Sequence, residues 1–296
     1  MKIFDCTMFF DENMMYDLRL NLLNDYVDKF VVVESLYTHR GNKKKQNFNI
    51  EDYKKFKDKI IYILIDEEPN DLYEINDEKD KDNEGLKRLN TLKRIKLQYN
   101  SLAKGIKEAN PDDLIILSDC DEIPNLKNIK NSLNNDILVF KQQLYYFKFN
   151  FLYKNYDWFG SKACKKKLLK TFEWLRYVKS KKYAFWRIDT MFSNTKYKNI
   201  KIIEDGGWHF TKIKKPEDIF YTLSNFGEYN EFVTSGLTVD DFKTFISKGE
   251  LPYDHSADKK SSVKDKFSNI VKLEKNSDHL PEFLIKNKEK YKNWFS

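Results

Sequence analysis

An α/β fold with a mostly parallel, Rossmann-like central sheet flanked by helices is what this 296-residue sequence predicts, and three observations carry the reading. Apolar runs alternate with helical periodicity over the first 65 residues, which is the pattern of strands joined by crossover helices. The runs are continuous rather than alternating, Val31-Val32-Val33 and Ile115-Ile116 among them, as expected of strands covered on both faces. Several of them end in acids, and in such sheets ligands sit beyond the carboxyl ends of the strands.

The elements follow in order. Ile3 to Phe10 reads as the first strand, and Asp11-Glu12-Asn13 supplies a helix start before Met14, Met15, Leu18, Leu22 and Leu23 at helical spacing. Lys29 to Glu34 is the second strand. A Lys-rich amphipathic stretch from Glu51 to Lys59 leads to the third, Ile60 to Ile65. Residues 66–85 are rich in acids, Asn and Pro and predict a long loop over the ligand edge. Leu86 to Ala109 is the longest helical stretch, with Leu89, Leu92, Ile95, Leu97, Leu102 and Ile106 expected inside and Lys87, Arg88, Lys93, Arg94 and Lys96 outside.

That helix delivers the chain to Leu114-Ile-Ile-Leu117, a strand ending in Ser118-Asp119-Cys120-Asp121-Glu122-Ile123-Pro124. Asp119 and Asp121, two apart on extended chain, are expected to project to one side. Hard oxygen ligands so placed suit Mg²⁺ or Mn²⁺ holding a diphosphate. Further on, Asp136 to Phe140 reads as a strand, Asn155 to Gly160 as a turn, and Ala163 to Lys170 as solvated. Tyr183 to Phe192 and Lys201 to Glu204 read as strands, followed by Asp205-Gly206-Gly207-Trp208-His209-Phe210-Thr211. A helix starts at Pro216, well placed at a first helical position. Beyond Asp240 the chain is Lys-rich and amphipathic, so residues 1–239 are expected to form the main domain and 240–296 a helical C-terminal tail.

Composition narrows the class. With 23 Phe and 18 Tyr the chain is folded despite its 33% charged content, and 53 basic against 46 acidic residues give a mixed surface of net charge +7. Three widely spaced cysteines indicate neither a disulfide framework nor a zinc cage. No run approaches the ~18 apolar residues of a membrane span, which predicts a soluble, cytoplasmic protein. The balanced charge argues against nucleic acid as a partner. A competing reading is nevertheless an RNA- or membrane-surface-binding module using Lys43 to Lys45, Lys165 to Lys167 and the C-terminal lysines.

Four blocks then come in a telling order: Phe10-Asp11-Glu12 with Leu18-Arg19-Leu20; Asp28 to Ser35 with Thr38 and Gly41; Ser118 to Pro124; and Gly206-Gly207-Trp208-His209-Phe210. Together they resemble glycosyltransferase family 17, whose named members are the β-1,4-mannosyl-glycoprotein 4-β-N-acetylglucosaminyltransferases. The resemblance implies a GT-A type fold, a UDP-sugar donor (N-acetylglucosamine by that precedent), a glycan or glycoconjugate acceptor, a divalent cation and inversion at the anomeric carbon. It assigns Asp121 to direct metal ligation, Asp119 to the metal through water or to the donor ribose, and His209 to a late third ligand position.

Glu12 and Glu34, at the ends of the first two strands, fall where such folds hold the nucleoside. Glu122 divides between the cation and a helix cap, and Trp208 between the core and a sugar face. For the base that activates the acceptor, Asp205 and Glu228 lead. The chain departs from the family pattern twice: Gln98-Tyr99-Asn100 lacks an arginine, which Arg94 one helical turn earlier is positioned to replace, and Asn225 to Glu231 lacks a histidine. A catalytically degenerate transferase that only binds nucleotide-sugar, and peripheral membrane association, stay open at this point.

Overall fold

A computed structural model describes residues 1–75, 83–227, 229–255 and 270–296. It is a mixed α/β structure with two main sheets. The first has seven strands: β1 (Ile3–Phe9), β2 (Lys29–Ser35), β3 (Ile60–Ile65), β4 (Leu114–Asp119), β6 (Ile137–Phe140), β9 (Lys162–Lys165) and β10 (Ile200–Ile203), in the order β10-β6-β9-β4-β1-β2-β3. Strands β3, β2, β1 and β4 are mutually parallel, as the alternation predicted. The exception is β9, which runs antiparallel between β4 and β6.

Burial on both faces accounts for the continuous apolar runs. Phe30 and Val32 on β2 enter one core with Leu114 and Ile116 of β4, while Val31 and Val33 enter the other with Ile115 and Leu117. Successive side chains point to opposite faces, so only a strand apolar at every position fills both.

The second sheet is built from β5 (Glu122–Pro124), β7 (Gln142–Tyr146), β8 (Phe151–Trp158), β11 (Gly207–Thr211) and β14 (Glu274–Lys275), in the order β14-β8-β7-β11-β5. Helices α1 (Asn13–Leu23), α2 (Glu84–Ser101), α3 (Phe172–Tyr177), α4 (Pro216–Asn225), α5 (Tyr229–Ser235), α6 (Val239–Lys248) and α7 (Glu282–Lys286) pack around these sheets, with a short ladder of β12 (Glu250–Leu251) and β13 (Val271–Lys272). The chain passes from β4 of the first sheet to β5 of the second through a two-residue turn, Cys120–Asp121. The acidic block therefore lies on the seam between the sheets.

Several sequence readings are corrected. Asn155 to Trp158 extends β8 rather than turning the chain, and residues 162–165 form buried β9 instead of a solvated stretch. Tyr183 to Phe192 is not a strand, because the only regular element within it is a short 3₁₀ turn at Ile188–Thr190. Leu89 and Leu92 of α2 are exposed, whereas Lys87, Asn90, Thr91 and Gln98 are buried. The helix turns this polar face inward because the loop before it needs partners: Asn90 exchanges hydrogen bonds with the backbone of Tyr73 at 2.7 and 2.8 Å.

The C-terminal segment is not purely helical. It supplies β12, β13 and β14, and its Leu280, Leu284 and Tyr291 share a core with Phe9 and Phe30. Residues 66–75 lie in the predicted loop before α2, the rest of which, 76–82, is outside the described residues.

Candidate active site

A cavity of about 710 Å³ opens at the seam, walled by the ends of β1 and β4, the turn at Asp121, β11 and helix α4. Its size is in the ~300–1,000 Å³ range of small-molecule sites. Asp119, Asp121, Glu12 and His209 all line it.

Two arginines hold the acidic block. Arg19, fully buried on α1, pairs with Asp5 through Nε and Nη2 at 2.7 and 2.5 Å and turns Nη1 to the carbonyls of Glu122 at 2.6 Å and Asp119 at 3.3 Å. The backbone of the turn is thereby fastened to α1 and β1. Arg176, on α3, holds the side chains. Its Nη2 donates to Asp119 Oδ2 at 2.7 Å and its Nη1 to Glu122 Oε2 at 2.9 Å and Oε1 at 3.2 Å. Fully buried Glu122 also accepts from Trp158 Nε1 at 2.8 Å and the Asp119 amide at 2.9 Å. It braces the block from beneath and does not face the cavity.

Strand pairing brings in the histidine. In the β5–β11 ladder His209 lies opposite Glu122, and the Phe210 amide donates to the Asp121 carbonyl at 2.9 Å. Gly207 lets the two strands approach this closely. Its φ is +112°, and a Cβ there would lie 2.2 Å from the Ile123 carbonyl oxygen. His209 Nε2 consequently sits 3.4 Å from Asp121 Oδ1, its ring tilted against Trp158 with centroids 4.5 Å apart. Nδ1 of this buried ring has no hydrogen-bond partner among the described residues.

The electrostatics divide the two aspartates. Burial, against the pull of Arg176, pushes the Asp119 carboxyl up to about 6, with Glu122 and Asp121 adding to the rise. For Asp121 burial also raises the value, but His209, Lys212 and Lys214 outweigh it and hold the carboxyl below its usual range. Glu122 is likewise held low against burial, chiefly by Arg176. Glu12 moves the other way. Burial raises its carboxyl, with Lys214 opposing and Asp11 and Asp121 reinforcing.

The donor set suits a hard cation with two protein ligands. Ligands at about 2.1 Å and at right angles on one ion lie about 3.0 Å apart. The Asp121–His209 separation of 3.4 Å is close to that and long for a hydrogen bond. Among the described residues no group of three His, Cys, Asp or Glu side chains converges as a cage, so water and ligand oxygens would complete any coordination sphere. Asp119 has both oxygens engaged, one by Arg176 and the other by the Tyr99 hydroxyl at 3.1 Å.

The remaining sequence candidates are scattered. Glu12 lines the cavity, its Oε2 accepting from the amides of Phe10 and Asp11 at 2.8 and 3.1 Å. Glu34 does not reach the cavity. Fully buried, it is ion-paired with Lys44 and accepts from Tyr62 Oη at 2.9 Å and the Asn47 and Phe48 amides at 2.7 and 3.0 Å, fastening the loop after β2. Arg94 forks onto Glu68 at 2.8 and 2.9 Å and also lies outside the lining. Asp205 is exposed, accepts from Asn125 Nδ2 at 3.0 Å, and sits beyond the start of β11, away from the cavity. Glu228 lies outside the described residues. Trp208 is half-buried, packs against the core and donates Nε1 to the His279 carbonyl at 2.6 Å.

The principal residue that sequence reading missed is Arg176, and a signal for it existed. Only six of the 53 basic residues are Arg, and Arg19, Arg94, Arg176 and Arg187 all fork onto carboxylates. In a Lys-rich chain an arginine marks a place where planar, two-point recognition is needed. Four lysines of the basic runs behind the competing reading are engaged within the chain. Lys44 is tied to Glu34, Lys165 and Lys167 to Asp112, and Lys166 to the carbonyls of Lys107 and Ala109.

No curated protein matches the chain. The model of glycosyltransferase family 17 does, over residues 1–295, essentially its whole length. Its acidic turn, arginine braces and Gly-Gly-Trp-His strand thus sit within one continuous match, and the chain belongs to glycosyltransferase family 17 and is a glycosyltransferase.

Proposed function

We propose that the protein has a GT-A type fold and transfers a sugar, N-acetylglucosamine by family precedent, from a UDP-activated donor to a hydroxyl of a glycan or glycoconjugate, with inversion and with Mn²⁺ or Mg²⁺. The observation that carries this reading is the Asp121–His209 pair at 3.4 Å on the wall of the cavity, beside an Asp119 that Arg176 and Tyr99 hold in place. Asp121 Oδ1 and His209 Nε2 are the atoms assigned to the cation. When bound, it would neutralise negative charge that develops on the departing diphosphate.

The chain's own groups support the same division of labour. Arg19 and Arg176 fix the turn before any ligand arrives, so Asp121 spends little ordering entropy on binding. The low carboxyl of Asp121 keeps it ionised and able to ligate at neutral pH. Among the described residues we assign removal of the acceptor proton to Glu12. It lines the cavity, and burial raises its carboxyl toward the range useful to a base. Glu228, the sequence-based alternative, competes for this role.

A panel of UDP-sugars with and without Mn²⁺, read by thermal shift, tests the donor assignment. The expected result is a selective, metal-dependent rise in melting temperature. Asp121→Asn should abolish that shift together with transfer and donor hydrolysis, while leaving the ligand-free melting temperature unchanged. Retained turnover in Asp121→Asn would overturn the proposal.

A further inference from the structure

We propose that the loop between α3 and β10 is a membrane-seating element that docks the enzyme on an anionic lipid surface. Phe185, Trp186, Ile188, Met191 and Phe192 lie within eight residues and are between 68% and 86% exposed. Among the described residues no other segment exposes so many large apolar side chains so closely. Clustered exposed apolar side chains of this kind mark an interaction site.

The loop is built rather than loose. Its base is pinned by the Lys179 amide to the Thr195 carbonyl at 2.8 Å and by Trp174 Nε1 to the Asn194 carbonyl at 2.6 Å. Across its tip, Arg187 forks onto Asp189 at 2.7 and 2.8 Å, Lys196 reaches the same carboxylate at 2.7 Å, and Thr190 Oγ1 donates to the Arg187 carbonyl at 2.7 Å. Phe185 and Trp186 meet edge to face with centroids 4.9 Å apart. These bonds fix the backbone that carries the apolar side chains, most of whose surface faces solvent.

Charge selects the occupant. Residues 179–198 contain Lys179, Lys181, Lys182, Arg187, Lys196 and Lys198 against the single acid Asp189, a net charge of +5. A second copy docking through the same loop would bring two such charges together, which is unfavourable. A lipid surface rich in anionic headgroups takes both features, the aromatic and aliphatic tips entering the interface and the lysines meeting phosphate. The loop leaves directly from the helix that carries Arg176.

Flotation of the full-length chain with vesicles tests the inference. Vesicles of phosphatidylcholine with about one third phosphatidylglycerol should carry the protein at low salt, and pure phosphatidylcholine should not. The triple substitution Phe185→Ser, Trp186→Ser, Phe192→Ser should lower the vesicle partition coefficient about tenfold or more at every salt concentration, with melting temperature unchanged. Lys181→Glu with Lys182→Glu should weaken binding mainly at low salt. Lipids brominated on the acyl chain should quench wild-type tryptophan fluorescence and leave Trp186→Phe largely unquenched. Absence of wild type from the anionic vesicle fraction would overturn the proposal, as would wild-type binding by the triple variant. Sedimentation showing a wild-type dimer that the triple variant converts to monomer would reassign the loop to self-association.

Discussion

Arg176→Met is the most informative single substitution in this protein. The side chain makes three short contacts with two carboxylates, and one of those, Glu122, is completely buried. Among the described residues its removal leaves Glu122 with the Trp158 indole and the Asp119 amide as donors. Truncating one partner of a buried pair costs roughly 3–5 kcal/mol. Since Arg176 itself is 22% exposed, the lower end applies, about 3 kcal/mol. In a domain of this size that is a fall in melting temperature of about 6 °C or more.

The pH dependence has a definite sign. Glu122 is held below its unfolded value of 4.5, so its pairing stabilises the fold above that pH and is lost as the pH falls through the lower folded value. In Arg176→Met the carboxyl would take up a proton more readily, and the deficit should shrink as the pH approaches 4. Urea denaturation at pH 7 and pH 4 measures both quantities. Adding Glu122→Gln to Arg176→Met removes the orphaned charge and should recover part of the loss, whereas Arg176→Lys keeps the charge but cannot bridge two carboxylates. A Met variant within about 1 kcal/mol of wild type, or strict additivity of the two substitutions, would refute the bracing role.

Three further outcomes follow from the same geometry. Asp119 has a folded value of about 6 against 3.8 for the free group, so its contribution to stability is full below 3.8 and lost as the pH rises through 6. Asp119→Asn should flatten this slope in urea midpoints measured from pH 4 to pH 7. Glu34→Gln leaves buried Lys44 and two loop amides poorly matched and should cost about 2 kcal/mol or more by urea denaturation, without changing donor affinity measured by titration calorimetry. Asp205→Ala removes an exposed carboxylate bonded to Asn125, and kcat/KM should stay within about twofold of wild type in a transfer assay.

The sequence by itself determined the parallel strands β1 to β4, because apolar side chains at every position have no stable home except a sheet covered on both faces. It also located the acidic block at a strand end and marked Gly-Gly-Trp-His as a second element of interest. What it did not contain was the crossing from one sheet to the other at Cys120–Asp121. Local propensity extends the strand through both aspartates, whereas long-range pairing of Glu122 with His209 ends it and turns the chain.

The same limit explains the other reassignments. Glu34 and Arg94 read as ligand-facing because acids and bases at strand and helix ends usually are. The tertiary structure gives each a full set of internal partners instead, in Lys44, Tyr62 and Glu68. Asp205 is four residues before His209 in sequence but lies beyond the start of β11, since a strand advances about 3.3 Å per residue and carries the two apart. Arg176, more than fifty residues from the carboxylates it braces, becomes their partner only because β9 inserts between β4 and β6 and sets α3 against the acidic turn. That contact is a product of chain topology, which periodicity and spacing do not encode.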